Sequence, residues 1–382
     1  MKMARTPHHI LMTSLMSLLM ALVLRAHAQY HPVIPLTPEE KAVRAHLQTL
    51  VQDQQSDMIH HRINALTRLY LTGDSAQEAL KVSQVRSQYL FNWARLRHIE
   101  WVGIAVTVRT PSIQIVSPTM VRFYAVERER YTYRYQGRKK SPVVFGIASR
   151  HYLSIMEDHG QWKFQSDDFT NPVLPDDMAG QRTPLQTGGH PPQGPWSQGR
   201  MDAVRYANTF CGNAPGCGND GRYNRDYQNY NGNGGDCTNF ISQVLHAGGW
   251  RMTPVWNYDH TADEGSAAWT NASALAQFLA DSGRATLYAH GSYATVTRPT
   301  AKSPEGAIES LRPGDLISYQ EHGRIVHSAV VVGYDPKGVP LTIAHTNDRY
   351  HVPWDFGWSD RTVFYLWHIH YPGEVKSEER TR

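Results

Sequence analysis

Cysteine is scarce in this sequence, with 3 among 382 residues, and charged residues make up only 19% of the chain. So few cysteines exclude a small scaffold held together by disulfides. The formal net charge of +4 falls to +1 when Lys2, Arg5 and Arg25 are set aside, because these three lie in a segment that we predict to be removed. This balance gives no electrostatic reason to expect nucleic acid or an anionic membrane as a partner, and we predict neither.

Long apolar runs are also few. The one that stands out covers residues 10–24, and Ala26-His27-Ala28 behind it is a small-residue cleavage pattern. The run is short for a membrane span, which needs about 20 residues. We therefore predict a signal peptide over residues 1–28, a secreted protein of the extracytoplasmic cell envelope, and no membrane attachment after cleavage. An uncleaved membrane anchor is the alternative.

The pattern of residues 30–170 predicts helices followed by strands. Thr37-Pro38-Glu39-Glu40 is a capping box, and the apolar residues behind it recur at helical spacing. From Ile104 to Phe164 apolar residues alternate with polar ones, which is typical of antiparallel strands. We predict an N-terminal α+β domain of helices plus an antiparallel sheet. Its order of elements resembles the nuclear transport factor 2-like cone.

Proline marks the end of this domain. Residues 171–199 contain 6 prolines with scattered glycine and glutamine, a composition typical of a linker. We predict a second domain over residues 200–372 and a charged tail over residues 373–382. No internal repeat is present in the sequence, which argues against a repeat architecture.

The most informative stretch is Gly234-Gly235-Asp236-Cys237-Thr238-Asn239-Phe240. Apolar residues recur behind it at helical spacing and Gly248-Gly249 ends the pattern, so Cys237 lies in the first turn of a short helix that follows a glycine-rich turn. The positive end of the helix dipole favours a thiolate there. The alternative is a small, buried cysteine at a helix start.

A thiolate nucleophile needs a base, and the base needs a group that orients it. His327 opens an apolar run that predicts a buried strand, which would place the histidine at the edge of a cleft. His345 lies in the next predicted strand, and Asn347 points the same way by strand parity. Either one can accept a hydrogen bond from His327 and fix its tautomer. The alternative for His327 is a core or rim histidine.

The other two cysteines, Cys211 and Cys217, are separated by Gly-Asn-Ala-Pro-Gly, a turn-rich stretch that lets its ends meet. In an oxidising compartment an odd number of cysteines leaves one thiol over. We predict a disulfide between Cys211 and Cys217, with Cys237 free. If Cys237 pairs with one of them instead, the catalytic hypothesis fails.

Four stretches of the C-terminal half resemble, in order, the bacterial putative amidase domain family, which is related to the papain-like CHAP and NlpC-type cell-wall amidases. They are Met201–Ala207, Gly235–Gln243 with Gly248-Gly249, Pro313–Asp315, and His327–Gly333 followed by Ala344–Thr346. The resemblance implies a papain-like cysteine amidase fold, with Cys237 as nucleophile, His327 as base and His345 as the residue that orients it. An insertion around residues 211–229 departs from the family pattern and would narrow or cover the cleft.

The chemistry that follows is hydrolysis of an amide through a thioester. The backbone N–H of Cys237 is the natural oxyanion donor, and Asn231 or Asn233 is the expected second donor. We expect Asp236 to brace the glycine-rich turn or to cap the helix. The resemblance and the export signal together predict a peptide amide of the cell wall, such as peptidoglycan, as the substrate.

We predict no metal and no cofactor. Asp220, Asp226 and Asp236 lack the spacing of a calcium loop, and the histidines lack a zinc spacing with a third ligand. The alternative function is a secreted binding protein whose papain-like domain is a non-catalytic scaffold.

Overall fold

The computed structural model describes residues 36–137, 142–169, 191–358 and 361–374. The predicted signal peptide at 1–28, most of the predicted linker and most of the predicted tail lie outside the described residues. None of the described helices is both long and apolar enough to cross a membrane.

Three helices precede four strands, and the remaining elements follow residue 191. The helices are α1 Pro38–Ile59, α2 Ile63–Leu66, α3 Asp74–Arg97, α4 Gln198–Thr209, α5 Cys237–Ala247, α6 Ala267–Thr270, α7 Ala272–Asp281 and α8 Tyr293–Thr297, with short 3₁₀ turns at Thr67–Leu69 and Ala307–Ser310. The strands are β1 Ile99–Ser117, β2 Met120–Tyr135, β3 Val143–Asp158, β4 Gln161–Phe169, β5 Tyr258–Asp259, β6 Glu264–Gly265, β7 Ala285–Gly291, β8 Leu316–Glu321, β9 Arg324–Tyr334, β10 Pro340–Ala344, β11 Asp348–Pro353 and β12 Val363–Ile369. The predicted mixture of helices and antiparallel sheet is confirmed.

The first helix begins at the predicted capping box. The backbone N–H of Thr37 donates to Glu40 Oε2 at 2.9 Å, and the N–H of Glu40 donates to Thr37 Oγ1 at 3.1 Å. These bonds satisfy two backbone donors that a helix start leaves without partners. Further along, Leu47 of α1 and Trp93 of α3 are fully buried in the same apolar cluster as the inward residues of β2 and β3.

One antiparallel sheet contains every named strand except β5 and β6. Its order is β1-β2-β3-β11-β10-β9-β8-β12-β7, and β4 pairs with residues 151–158 of β3, on the same edge as β11 but at the other end of the strand. Strands β3 and β11 are joined with Ala148 opposite Asp348. This pairing links strands from before and after the predicted linker, which no local sequence pattern indicates. The division into domains at 30–170 and 200–372 stays a prediction.

Strand β9 separates two apolar clusters. Ala329 and Val331 belong to the cluster that also holds the inward residues of β2 and β3, whereas Val330 and Val332 belong to the cluster around α5 and α7. Successive side chains of a strand point to opposite faces of the sheet. The parity of a residue in β9 therefore decides whether its side chain can reach the N-terminus of α5. The papain-like character of this region stays a prediction.

Candidate active site

Cys237 is the first residue of α5, as the sequence predicts, and Asp236 precedes it as the N-cap residue. The helix is held down by Phe240, Ile241 and Val244, which are fully buried against the sheet. Only 8% of Cys237 is exposed, and its thiol is free. The site is therefore an anchored helix start with a buried sulfur.

The turn before α5 lies directly against Thr346. Gly235 has a φ of +113°, and a Cβ at this position would lie 3.0 Å from Thr346 Oγ1, so glycine is required both by the backbone and by the space. The Thr346 hydroxyl accepts hydrogen bonds from the N–H of Asp236 at 2.9 Å and from the N–H of Cys237 at 3.1 Å. The donor expected to bind an oxyanion is thus covered by a threonine side chain.

Thr346 itself adopts a φ of +81°. A β-branched residue in this region is strained, and strain of this kind is found where the surrounding structure imposes it. Its backbone carbonyl accepts a hydrogen bond from Arg150 at 2.8 Å, and Arg150 comes from β3. The contact that covers the Cys237 N–H is therefore supported from the N-terminal part of the sheet.

Burial dominates the chemistry of the Cys237 thiol. Burial raises its pKa, and hydrogen bonds with Thr238, with the backbone of Ser328 and with Thr346 lower it by less. The Sγ atom lies 3.7 Å from Thr238 Oγ1. The thiolate expected from the helix dipole is therefore not favoured in this conformation, because desolvation disfavours the charged form more strongly.

His345 lies on the α5 side of the sheet and is bound at both ring nitrogens. Its Nδ1 lies 2.6 Å from Asp236 Oδ2, and its Nε2 lies 2.6 Å from the backbone oxygen of Phe210. The ring stacks on Phe240 with 3.9 Å between centroids, and only 1% of the residue is exposed. Carboxylate and carbonyl oxygens both accept hydrogen bonds, so the two partners fix the position of this imidazole.

Asp236 has two functions in this arrangement. Its Oδ1 accepts hydrogen bonds from the N–H of Tyr230 at 2.9 Å and from Asn239 Nδ2 at 2.8 Å, which braces the turn. Its Oδ2 holds His345. The bracing role was foreseen from the sequence, but the pairing with His345 was not, because 109 positions separate the two residues.

His327 lies on the other face of the sheet. It sits directly opposite Tyr319 in β8, and its ring centroid lies 5.6 Å from Tyr319 and 5.4 Å from Trp358. Burial, helped by the charge of Arg349, lowers its pKa to about 3, so the imidazole is neutral at physiological pH. Within the described residues its Nε2 has no hydrogen-bond partner.

The hydrogen bond predicted from His327 to His345 or Asn347 is therefore not formed in the described part of the chain. The physical reason is strand parity, because His327 shares its face with Ala329 while the backbone of the next residue, Ser328, meets the Cys237 sulfur. The Oδ1 of Asn347 is buried and has no partner among the described residues.

The two asparagines expected near the oxyanion do not contact Cys237 in the described bonds. Asn231 Nδ2 donates to Asn229 Oδ1 at 2.8 Å. Asn233 is exposed, and its N–H donates to the backbone oxygen of Tyr230 at 2.8 Å. Both residues shape the surface of the turn and leave Thr346 as the partner of the Cys237 N–H.

The disulfide loop adjoins this site. Cys211 and Cys217 are bonded, with their Cα atoms 5.5 Å apart. Cys211 directly follows Phe210, whose carbonyl contacts His345. The insertion predicted around residues 211–229 thus begins directly after Phe210, one of the two partners that fix the His345 ring.

Comparisons with known proteins point to the same region. Residues 197–367 match the family model described as "Putative amidase domain". The uncharacterized protein YhbB of Bacillus subtilis (strain 168) is 32% identical over 180 residues, which is 43% of this chain and 46% of that protein. The chain thus spans about half the length of the curated relative that it matches. The family match indicates amide hydrolysis, and therefore hydrolase activity, as the chemistry of this region.

Solved structures match about a third of the chain, at low identity. The intermembrane space region of the chloroplast protein ARC6 is 12% identical, with 35% of this chain and 98% of that chain covered and a TM-score of 0.24. Hexachlorocyclohexane dehydrochlorinase LinA-type3 from Novosphingobium barchaimii LL02 is 15% identical, with 35% and 88% covered and a TM-score of 0.22. The resemblance to a nuclear transport factor 2-like cone stays a prediction.

Proposed function

We propose that this protein is a cysteine amidase in which Cys237 is the nucleophile and His345, held by Asp236, accepts the thiol proton. One observation carries the proposal: the residue before Cys237 binds His345, and the residue after His345 binds the N–H of Cys237. Two pairs of adjacent residues are thereby tied together at the start of an anchored helix. A nucleophile, a candidate base and an orienting carboxylate are the groups that acyl transfer through a thioester needs.

In the proposed reaction the thiol proton moves from Cys237 to His345 and the sulfur attacks the amide carbonyl carbon. The N–H of Cys237 then donates to the oxyanion of the tetrahedral intermediate. His345 returns the proton to the leaving amine as the carbon–nitrogen bond breaks. Water hydrolyses the remaining thioester and restores the thiol.

The described conformation corresponds to a closed form of this site. For the reaction to begin, the Thr346 hydroxyl must leave the Cys237 N–H, and His345 must give up its contact with the Phe210 carbonyl. Both contacts belong to loops rather than to the strands of the sheet. We therefore propose that substrate binding displaces these loops while α5 stays in place.

His327 is the rival base, because the family resemblance assigns that role to it. Its side chain shares a strand face with Ala329 rather than with the residues that pack on α5. Its pKa is lowered by burial to about 3, which makes it a poor proton acceptor at neutral pH. These two observations favour His345.

The alternative function is that of a binding protein in which this domain is a non-catalytic scaffold. It is favoured by the buried thiol, whose pKa is raised by burial, and by the covered N–H of Cys237. Export to the cell envelope and a cell-wall peptide substrate are further proposals that rest on the sequence and the resemblance.

The test is to incubate the purified protein with peptidoglycan and with a panel of peptide amides and to measure newly released amines. We expect release by the wild type and none by Cys237→Ala. Alkylation of Cys237 by iodoacetamide should block release in parallel. Absence of any release, together with a thiol that is not alkylated in the folded protein, would support the scaffold alternative.

A further inference from the structure

A second group of reactive side chains lies in the N-terminal half of the sheet, away from the residues discussed above. Glu127 of β2, His151 of β3 and Asp167 of β4 converge on one face. His151 Nδ1 lies 2.8 Å from Asp167 Oδ1 and 3.7 Å from Glu127 Oε1. Side-chain exposure is 0% for Glu127, 1% for His151 and 5% for Asp167.

The charges around this cluster do not balance. Glu129, also fully buried, is paired with Arg86 at 3.2 Å and accepts a hydrogen bond from Tyr131 at 2.8 Å. Glu129 and Arg86 both interact electrostatically with Glu127, so among the described residues of this group three carboxylates face one guanidinium. Removing carboxylates from water is costly unless a positive charge compensates for it. With all three carboxylates ionised, the guanidinium and a protonated His151 would still leave a net negative charge, which a bound cation would compensate.

Two buried oxygen atoms also lack donors. Glu127 Oε1 and Gln55 Oε1 have no hydrogen-bond partner among the described residues, and both side chains are fully buried. The two residues are neighbours, because Gln55 Nε2 donates to Glu127 Oε2 at 3.3 Å. Buried acceptors without partners are rare and call for a physical reason, such as an ion.

His151 is oriented as a metal-binding histidine would be. Its Nε2 lies 2.8 Å from the hydroxyl of Ser149, which is fully buried, and its Nδ1 is the nitrogen that faces the two carboxylates. When Nε2 donates its proton to Ser149, Nδ1 carries a lone pair. A hydrogen bond at the far nitrogen is the usual way in which proteins fix a ligating imidazole.

We propose that Glu127, His151 and Asp167 bind one divalent transition-metal cation, with the carboxamide oxygen of Gln55 beside it. One imidazole nitrogen and two carboxylates suit Zn²⁺ or Mn²⁺. His151 Nδ1 lies 2.8 Å from Asp167 Oδ1 and 3.7 Å from Glu127 Oε1. Donor atoms that bind one ion at about 2.0–2.2 Å have separations between these two values. Three protein ligands leave a coordination position for water.

Local sequence patterns do not reveal this site, which is why the sequence alone predicts no metal. The three residues come from three different strands, and only the register of β2, β3 and β4 brings them together. The proposal is independent of the amidase assignment, because none of these residues belongs to the Cys237 site.

The experiment uses the full chain, stripped with a chelator and then titrated with Zn²⁺ against a chromophoric competitor. Asp167→Asn is the test variant, and Asp168→Asn is its matched control, because Asp168 is the exposed neighbour on the same strand. We expect one tight Zn²⁺ site in the wild type and the control, weakened about tenfold or more in the test variant. Zn²⁺ should raise the thermal midpoint only where the tight site is present.

Glu127→Gln provides a second, nearly isosteric variant if Asp167→Asn does not fold. The visible absorption of bound Co²⁺ gives a further readout, since its intensity and position change when a ligand is removed. The proposal is overturned if wild type and both variants bind Zn²⁺ equally, as surface histidines would. It is also overturned if Zn²⁺ leaves the thermal midpoint of the wild type unchanged while the Glu127→Gln substitution raises that midpoint without metal. Such a result would mean that a proton on Glu127, rather than a metal ion, neutralises the cluster.

Discussion

His327 in β9 and His345 in the turn directly after β10 lie on opposite faces of the sheet, in different chemical surroundings. On the α5 face, His345 is bound to Asp236 at one nitrogen and to the Phe210 carbonyl at the other. On the opposite face, His327 lies among Tyr319 and Trp358, and its Nε2 has no partner among the described residues. Both histidines are almost fully buried.

The difference shows that hydrogen-bond partners, rather than burial alone, decide whether a buried histidine can act as a base. Burial and the nearby charge of Arg349 lower the pKa of His327 to about 3, so it is held neutral. His345 instead has the Asp236 carboxylate 2.6 Å from its Nδ1, which is the arrangement of a base held by an orienting carboxylate. A base in acyl transfer becomes positively charged when it takes the thiol proton. Of the two histidines, only His345 has a carboxylate as a partner among the described contacts.

The largest expected effect comes from exchanging each histidine for glutamine. His345→Gln should lower kcat/KM by about 10²–10⁴-fold, because general-base catalysis is lost. His327→Gln should lower it far less, since its side chain faces away from α5. The measurement is the rate of amine release on whichever amide the wild type cleaves.

Thermal unfolding of both variants provides the control, because each removes a buried ring. The assignment of the base to His345 is contradicted if His327→Gln lowers kcat/KM more than His345→Gln does while the two variants are equally stable.

His327 should make the free energy of unfolding depend on pH. The pKa of His327 is about 3 in the folded protein and about 6.5 when unfolded. Its contribution to stability is therefore fully present above pH 6.5 and is lost as the pH falls from 6.5 towards 3. At pH 4.5 the loss is about 3 kcal/mol, because this pH lies two units below the unfolded-state pKa and each unit corresponds to about 1.4 kcal/mol.

Urea unfolding at pH 7.5 and pH 4.5 measures this loss. Part of it should disappear in His327→Gln, because glutamine does not titrate. An unchanged pH dependence in that variant would mean that other groups control the acid response.

Accessibility of the thiol should depend on Thr346. Thr346→Gly removes the hydroxyl that covers the Cys237 N–H and relieves the strained φ of +81°. We expect alkylation of Cys237 by iodoacetamide to become several times faster. Thr346→Ser is the matched control, because it keeps the hydroxyl and should change the rate little. Equal rates in the two variants would show that Thr346 does not close the site.

The smallest effect is expected at the asparagine suggested by the sequence alone. Asn233 is exposed, and in its described bonds it does not contact Cys237. Asn233→Ala should therefore leave turnover within about twofold of wild type, since surface substitutions away from contacts have small effects. A large loss would place Asn233 at the oxyanion in an open form.

Local features of this chain could be predicted from the sequence, and long-range pairings could not. The Thr37–Glu40 capping box and the start of α5 at Cys237 depend only on neighbouring residues, and both are found.

The contacts that define the site join distant segments. Asp236 and His345 meet only because the end of β10 lies under α5. The positive φ of Thr346 interrupts the alternation of side-chain directions that strand parity predicts as far as Asn347. The pairing of β3 with β11 likewise depends on the whole sheet. Periodicity can place a residue on a strand face, but it does not reveal which element covers that face.

The most direct test of the central claim is the pH profile of Cys237 alkylation, read by peptide mass spectrometry in wild type, His345→Gln and His327→Gln. If His345 is the partner of the thiol, its removal should shift the profile to higher pH and slow alkylation at neutral pH. His327→Gln should match the wild type. The opposite pattern, with a shift only in His327→Gln, would contradict the assignment of Cys237 and His345 to one active site.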